Sequence, residues 1–130
     1  MIVVDASAML EVLLNSPAAP AIASRIFAPS EVLHAPHLID VEVMQVLRRY
    51  SMAKSLTSVR VRQAFEDYMN IPLERFPHDV LLPRIWELRR NLTAYDAAYV
   101  ALAEALDAPL ITCDRAIGSA KGHRADVLLF

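Results

Sequence analysis

Glycine and cysteine, which build many well-known sites, are scarce in this chain of 130 residues. There are two glycines, Gly118 and Gly122, and one cysteine, Cys113. Two glycines exclude a Gly-rich phosphate loop and a dinucleotide-binding fingerprint. One cysteine excludes an intrachain disulfide and the ligand spacing of a zinc finger, and it fits a reducing compartment. The chemistry of this chain must therefore come from other side chains.

Excess positive charge and long apolar runs are missing as well. The formal net charge is −2, whereas nucleic-acid binders are often strongly basic. An RNA substrate would therefore need local basic residues or metal ions beside an acidic site. No apolar run is long enough to span a membrane, and Met1 to Asp5 lack the basic region of a signal peptide. We expect a cytoplasmic protein that makes no membrane contact.

What the chain does contain is an alternation of apolar strands and amphipathic helices. Strands are predicted at 2–4, 32–35, 71–76, 110–113 and 127–130, and helices at 6–14, 18–27, 38–50, 58–69, 80–90 and 93–106. Such alternation favours a mostly parallel sheet with helices on both faces. The prediction is a single domain over residues 1–130, a three-layer α/β/α sandwich around a short, mostly parallel central sheet. Apolar residues make up 55% of the chain, which fits either a large aliphatic core or an interface with a second chain.

Four acidic residues occupy positions that such a sheet brings together. Asp5 and Asp114 each follow directly on an apolar strand, and the carboxyl ends of parallel strands form the crevice where ligands bind. Glu42 and Asp96 lie in the predicted first turns of two helices, which begin just beyond strand ends. The sequence therefore predicts four carboxylates at one rim of the sheet.

Carboxylates that converge in this way repel one another, which raises their pKa values unless a cation lies among them. Mg²⁺ prefers oxygen ligands and needs only a few carboxylates, because it keeps several of its waters. Such an ion activates water and stabilises charge on a phosphoryl group, which suits phosphodiester cleavage. Ser7 and Thr112, each two residues from a strand-end acid, are predicted to orient ligands or waters around the site.

Each acid also has a purely structural interpretation. Asp5 and Asp114 are suited to capping the helices that follow them. Asp96 ends a capping box that begins at Thr93, and Glu42 fits a surface acid that complements a helix dipole. The functional interpretation depends on the set of four acids in one small α/β chain.

Other polar residues are weaker candidates for a site. His34 and His37 are interpreted as loop histidines, because Pro36 between them prevents a shared helical face. Two basic groups are candidates for contact with RNA phosphates, although groups of this size are usually solvated surface. These groups are Arg48, Arg49 and Lys54, and Arg115, Lys121 and Arg124.

Four segments together carry a resemblance to a known family. They are Ile2 to Ala8, Pro36 to Glu42 leading to Leu47-Arg48-Arg49, Leu92 to Ala103, and Leu110 to Asp114. The segment from Leu92 to Ala103 is the most specific of them. In this order, within one domain of this length, the segments resemble PIN-domain ribonucleases, specifically the VapC toxins of bacterial toxin–antitoxin pairs.

The resemblance implies a metal-dependent endoribonuclease, a hydrolase that acts as the toxin of a type II toxin–antitoxin system. It implies that Mg²⁺ or Mn²⁺ is bound by Asp5, Glu42, Asp96 and Asp114. It also implies inhibition by a small cognate antitoxin and a homodimer as the working unit. Asp40 is a second acid near Glu42, and helical geometry favours Glu42 because Asp40 is expected at a helix cap. Whether Asp96 or Asp114 is a general base stays open.

Two functions of other kinds fit the same residues. A phosphotransfer or phosphatase domain would use Asp5 as a covalent nucleophile, and it predicts an acid-labile phospho-aspartate after incubation with a phosphodonor. A non-catalytic protein-binding module would use the acids only to attract basic partners. It predicts partner binding that a chelator does not change.

Overall fold

The computed structural model describes residues 1–130, which form five strands and seven α-helices. The strands are β1 (Ile2–Val4), β2 (Leu33–Pro36), β3 (Leu73–Phe76), β4 (Leu110–Thr112) and β5 (Val127–Leu129). The helices are α1 (Ala6–Leu13), α2 (Ala19–Ile26), α3 (Leu38–Met52), α4 (Ser58–Asn70), α5 (Leu82–Glu87), α6 (Ala94–Leu106) and α7 (Arg115–Ser119), with a 3₁₀ turn at Asp79–Leu81 before α5. None of these helices has the length and apolar character that crossing a bilayer requires.

The sheet is entirely parallel, in the order β3-β2-β1-β4-β5. The chain builds outward from β1 to β3 and then returns to the other side of β1 with β4. Because crossovers between parallel strands are right-handed, this reversal places α1 to α4 on one face and α5 to α7 on the other. In agreement, α1 packs against α2 and α3, whereas α6 packs against α5 and across β1, β2 and β4. The predicted three-layer sandwich is confirmed.

The central strands and α6 form the middle of the core. All three residues of β1 are fully buried, as expected for a parallel strand covered on both faces. Seven consecutive residues of α6, Ala97–Ala103, are buried as well. The alanines of this run allow such burial, because their small side chains let the sheet and α5 enclose α6 closely.

Two local expectations are wrong, each for a physical reason. The predicted helix at 80–90 is divided into the 3₁₀ turn and α5. Pro83 cannot donate to the carbonyl four residues earlier and is tolerated only in a first turn, so α5 begins afresh at Leu82. His34 lies in β2 rather than in a loop, and it is buried because β1 and β3 flank β2 on either side.

The sheet topology creates one crevice between β1 and β4. From β1 the chain adds β2 and β3 on one side, and it then returns to add β4 on the other side of β1. The direction of strand addition therefore reverses between β1 and β4. In open parallel sheets, ligands bind beyond the carboxyl ends of the strands at such a reversal. Asp5 directly follows β1, and Asp114 lies two residues after β4. The fold therefore places both strand-end acids at this crevice.

Candidate functional site

Asp5 is held in one orientation by three hydrogen bonds. Ser7 Oγ and the Ala8 N–H donate to Oδ1 at 2.7 and 2.9 Å, and Thr112 Oγ1 donates to Oδ2 at 2.5 Å. Asp5 is only 4% exposed. Burial raises the pKa of Asp5, and these three hydrogen bonds act in the opposite direction because they stabilise the ionised form. The result is a rigid carboxylate whose donors all favour its charged state.

The hydroxyls of Ser7 and Thr112 connect β1 to the loop after β4. Each hydroxyl gives its one hydrogen to Asp5 and accepts a backbone N–H in return. Cys113 N donates to Ser7 Oγ, and Asp114 N donates to Thr112 Oγ1, both at 2.9 Å. Ser7 and Thr112 therefore orient the groups around the crevice, as the sequence predicted.

Asp114 caps α7, since its Oδ1 accepts the Ala116 N–H at 2.8 Å. Asp5 caps α1 in the same way through Ala8. The capping interpretation of both acids is thus confirmed. It is compatible with a ligand role, because the cap of Asp114 occupies Oδ1 and leaves Oδ2 free.

Glu42 is the fifth residue of α3, one turn later than expected, and Asp40 is the acid of the first turn. Glu42 Oε1 accepts a hydrogen bond from the Tyr99 hydroxyl of α6 at 3.1 Å. Tyr99 lies three residues after Asp96, and residues three apart share a helix face. The contact with Tyr99 therefore brings Glu42 beside Asp96.

Asp40 is occupied elsewhere. Its carboxylate accepts hydrogen bonds from the Tyr68 hydroxyl at 2.5 Å and from Arg75 Nε at 2.8 Å. Its expected place at a helix cap is wrong, because α3 begins at Leu38 and His37 is the cap residue. The preference for Glu42 as the site acid gains support, since Arg75 already neutralises Asp40.

Asp96 is the third residue of α6, and Thr93 caps the helix by accepting the Asp96 N–H at 3.2 Å. The reciprocal bond of a capping box, from the Thr93 N–H to the Asp96 carboxylate, is not formed. The capping box is therefore only half present. The Asp96 carboxylate is left to interact with the acids around it.

Neighbouring carboxylates raise the pKa values of Asp5, Glu42 and Asp96. Burial and the charge of Asp114 raise the pKa of Asp96. Burial, followed by the charges of Asp5 and Asp96, raises the pKa of Glu42, and the charge of Asp114 adds to the effect of burial on Asp5. Each acid thus has two acidic neighbours, in the cyclic order Asp5, Glu42, Asp96, Asp114. We call this arrangement the acidic ring, and a divalent cation relieves repulsion of this kind.

The ligand atoms of the acidic ring discriminate between kinds of metal. No three His, Cys, Asp or Glu side chains lie close enough together to bind one ion unaided. Structural zinc sites are closed tetrahedra built mainly from cysteine and histidine ligands, and the acidic ring contains neither. Mg²⁺ usually keeps several waters and takes one or two carboxylates directly. The ring offers carboxylate oxygens alone, which suit a hard cation of this type.

Basic side chains border the ring on two sides. Arg49, one of the predicted basic residues, lines a groove that also contains Ser7 and Glu42. Arg89 and Arg90 line a recess that contains Asp96. Neither this second pair nor the role of Tyr99 is predicted from the sequence. The pair Arg89 and Arg90 is visible shortly before Asp96, whereas the contact between Tyr99 and Glu42 spans 57 residues.

Comparison with known proteins gives consistent matches over most of the chain. The family model described as PIN domain matches residues 2–122. Ribonuclease VapC9 of Mycobacterium tuberculosis is 46% identical over 114 residues, which cover 88% of this chain and 86% of that protein. Ribonuclease VapC12 of the same species is 38% identical over 129 residues, which cover 99% of this chain and 98% of that protein.

Two solved structures share the fold. PAE2754 from Pyrobaculum aerophilum superposes with a TM-score of 0.68 at 25% identity and covers 97% of this chain and 82% of its own. Mycobacterium tuberculosis VapC20, described as a Sarcin-Ricin loop cleaving toxin, superposes with a TM-score of 0.66 at 15% identity and covers 92% and 94%.

Proposed function

Because the chain belongs to the PIN-domain family and, within it, to the VapC ribonucleases, we propose that it is a metal-dependent endoribonuclease that acts as the toxin of a type II toxin–antitoxin system. The observation that carries the proposal is the acidic ring at the crevice between β1 and β4. Relatives that are 46% and 38% identical bear the name ribonuclease. As an RNA-cleaving toxin it would act in the cytoplasm, where its substrate and its antitoxin are made.

The proposed cofactor is Mg²⁺ or Mn²⁺, held by the four carboxylates of the acidic ring either directly or through bound waters. When bound, such an ion activates water and stabilises the charge that develops on the phosphate. The donor set supports this assignment, since it consists of carboxylate oxygens whose mutual repulsion a cation removes. Asp5 contributes a carboxylate that three hydrogen bonds have already oriented, so little ordering is needed on binding.

The other acids have roles that follow from their exposure. Asp96 and Asp114 are more exposed than Asp5, so a water that attacks RNA reaches them first. One of them accepts the proton of that water. Glu42 is positioned by Tyr99 between Asp5 and Asp96, and it completes the negative field that holds the cofactor.

The two other functions fit the geometry less well. A covalent nucleophile must approach phosphorus in line, yet Asp5 is almost fully buried and both its oxygens accept hydrogen bonds. A module that only attracts basic partners gains nothing from buried acids that repel one another. Exposed acids attract such partners equally well, at a lower electrostatic cost. Metal-dependent cleavage makes use of both features.

A small cognate antitoxin is proposed as the inhibitor. The groove beside Glu42 is lined by Leu10, Val41 and Val46 as well as Arg49. An apolar segment would cover this groove, and a basic side chain on it would neutralise the ring much as a metal does. Co-expression with the adjacent reading frame should give a stable complex and relieve toxicity, and a chain that stays unpartnered and toxic would contradict this.

A homodimer is proposed as the working unit. Phe65 and Met69 lie four residues apart on one face of α4 and are 42% and 63% exposed, which fits burial against a second copy. Light scattering at micromolar concentration should give twice the monomer mass. A monomer at that concentration would contradict the proposed dimer and would not bear on the catalytic site.

Cleavage of RNA with and without a chelator tests the catalytic proposal. The purified protein, freed of antitoxin, should cut a structured RNA in Mg²⁺ or Mn²⁺ and stop in EDTA. Asp79→Asn is a matched control, because Asp79 is an exposed acid of the 3₁₀ turn outside the ring, and it should cleave like the wild type. Cleavage that continues unchanged in EDTA would overturn the metal mechanism.

A further inference from the structure

The chain's one tryptophan lies on the surface close to the acidic ring. Trp86 of α5 is 66% exposed, and the Arg89 guanidinium stacks over its ring, 4.4 Å from the centroid. Arg89 Nη1 also donates a hydrogen bond to the Trp86 carbonyl at 2.8 Å, which holds the cation in that position. No residue of α5 is buried. The core therefore does not account for an aromatic ring held in this way.

Trp86 lines a recess of about 440 Å³ together with Leu82, Ile85 and Leu92. We call it the Trp86 recess, and its size falls in the range of small-ligand pockets. The recess that contains Asp96 and Arg90 lies directly beside it, because Arg89, Leu92 and Thr93 line both. A continuous path therefore leads from an apolar, aromatic recess to the acidic ring.

Two arginines line this path, and no carboxylate neutralises either of them. The ion pairs of the chain engage Arg62, Arg75 and Arg84, but not Arg89 or Arg90. Arginine binds phosphate through paired N–H groups. Guanidinium groups without a carboxylate partner, beside four acids, suit a polyanion that would otherwise be repelled from the ring. Charge complementarity on this path therefore favours a nucleic acid over an apolar peptide.

We propose that the Trp86 recess holds an unpaired base next to the scissile phosphate of a single-stranded RNA segment, with the adjoining phosphates on Arg89 and Arg90. This inference depends on the proposed function and names residues that hold its substrate. Only an unpaired base exposes the flat face that stacks on an aromatic ring. Such stacking tolerates every base, so the recess contributes affinity for unpaired RNA and leaves sequence choice to other contacts.

Because Trp86 is the only tryptophan, its fluorescence reports on the recess directly. The intact protein is titrated in EDTA and in Mg²⁺ with a single-stranded oligoribonucleotide, and separately with inorganic polyphosphate, which has charge but no bases. We expect saturable, strong quenching by the oligonucleotide and a much smaller change with polyphosphate, which can reach Arg89 but cannot stack on Trp86. Absence of quenching in both buffers, or equal quenching by polyphosphate, would overturn the proposal.

Variants separate stacking from charge, with affinity measured by anisotropy of a labelled oligonucleotide. Trp86→Ala should weaken binding about 5- to 150-fold, and Trp86→Phe should keep most of the affinity. Arg89→Gln should reduce the slope of log affinity against log salt by about one. Arg25→Gln is the matched control, since Arg25 is an exposed arginine of α2 far from the path. A Trp86→Ala variant that binds the oligonucleotide as tightly as the wild type does would refute the stacking role.

Three further outcomes separate this inference from its alternatives. If tryptophan fluorescence changes with protein concentration in the absence of RNA, and Trp86→Ala lowers the mass seen by light scattering, the recess is a contact between two copies and the proposal is wrong. If metal-dependent cleavage is intact and Trp86→Ala cleaves with wild-type KM, the recess alone is refuted. Quenching by the oligonucleotide in a protein that does not cleave would support the recess and refute the catalytic proposal.

Discussion

The hydroxyl of Tyr99 donates a hydrogen bond to Glu42 across the end of the sheet, at 3.1 Å. The two residues belong to helices on opposite faces, α3 and α6. Burial and the charge of Glu42 raise the pKa of Tyr99, so its phenol stays protonated and remains a donor throughout the physiological range. One buried tyrosine thus joins the two helical layers at the point where the acidic ring closes.

Tyr99→Phe should therefore damage the site more than the fold. The ring keeps its packing, and the loss of one hydrogen bond to a half-buried carboxylate should lower the free energy of unfolding by about 1 kcal/mol. Metal affinity or cleavage rate should fall about 10- to 100-fold, as is typical when a group that orients a ligand is removed. Metal titration and cleavage assays measure this. Tyr95→Phe is the control, because Tyr95 is exposed and its hydroxyl has no partner; equal effects of the two variants would refute the role of Tyr99.

Thr112→Val should destabilise the protein and disturb two acids at once. The hydroxyl of Thr112 donates to Asp5 and accepts the Asp114 N–H, and valine keeps its shape without either contact. Because polar groups are left unsatisfied in a buried site, the free energy of unfolding should fall by about 1–3 kcal/mol. The variant should therefore melt at a lower temperature and cleave RNA more slowly. Ser119→Ala, an exposed hydroxyl on α7, should change stability by no more than about 0.5 kcal/mol. Wild-type stability and cleavage in Thr112→Val would contradict the network.

Capping and metal binding at Asp96 are separated by four melting curves. The wild type and Asp96→Asn are each melted in EDTA and in Mn²⁺. If the carboxylate only complemented the helix dipole, Asp96→Asn would cost about 0.3–1 kcal/mol and would leave the response to metal intact. As a member of the acidic ring, the variant should instead be at least as stable as the wild type in EDTA, because one repulsive charge is gone. Its rise in melting temperature with Mn²⁺ should shrink, since less ion binds the folded state. A variant that melts lower in EDTA yet keeps the full rise would exclude Asp96 from the site.

Stability of the metal-free protein should depend on pH through the acidic ring. The pKa of Glu42 is raised above its ordinary value of 4.5, so the folded state holds its proton to higher pH than the unfolded chain does. The contribution of Glu42 to the free energy of unfolding is therefore fully present below that ordinary value, and it is lost as pH rises through the raised pKa. Metal-free Glu42→Gln should be more stable than the wild type at pH 7, and the advantage should disappear toward pH 4. Denaturant titrations at several pH values test this; an advantage that grows toward low pH would refute the sign of the shift.

Local sequence signals predicted the elements well where the determinants are local. The β-branched run of β1 and the Thr93 cap of α6 lie within a few residues of the structure that they specify. The start of α3 was predicted correctly at Leu38, but its cap was not. His37 makes no side-chain cap, and the Leu38 N–H is instead satisfied by His78 Nε2, 40 residues away in sequence.

The same distinction applies to the site. That Asp5 and Asp114 meet could be predicted, because a parallel sheet aligns the carboxyl ends of its strands. The separation of Asp40 from Glu42 could not, because it depends on Tyr68 and Arg75 from the next helix and strand. Contacts of this kind are set by packing between layers, and no periodicity within one segment encodes them.

Calorimetric titration with Mn²⁺ tests most directly whether the four carboxylates form one metal site. Asp5→Asn, Glu42→Gln, Asp96→Asn and Asp114→Asn are compared with the wild type and with the exposed-acid control Asp79→Asn, after each variant is shown to be folded. The wild type and the control should bind Mn²⁺ with equal affinity, and every ring variant should bind it at least about tenfold more weakly. Wild-type affinity in all four ring variants would contradict the account.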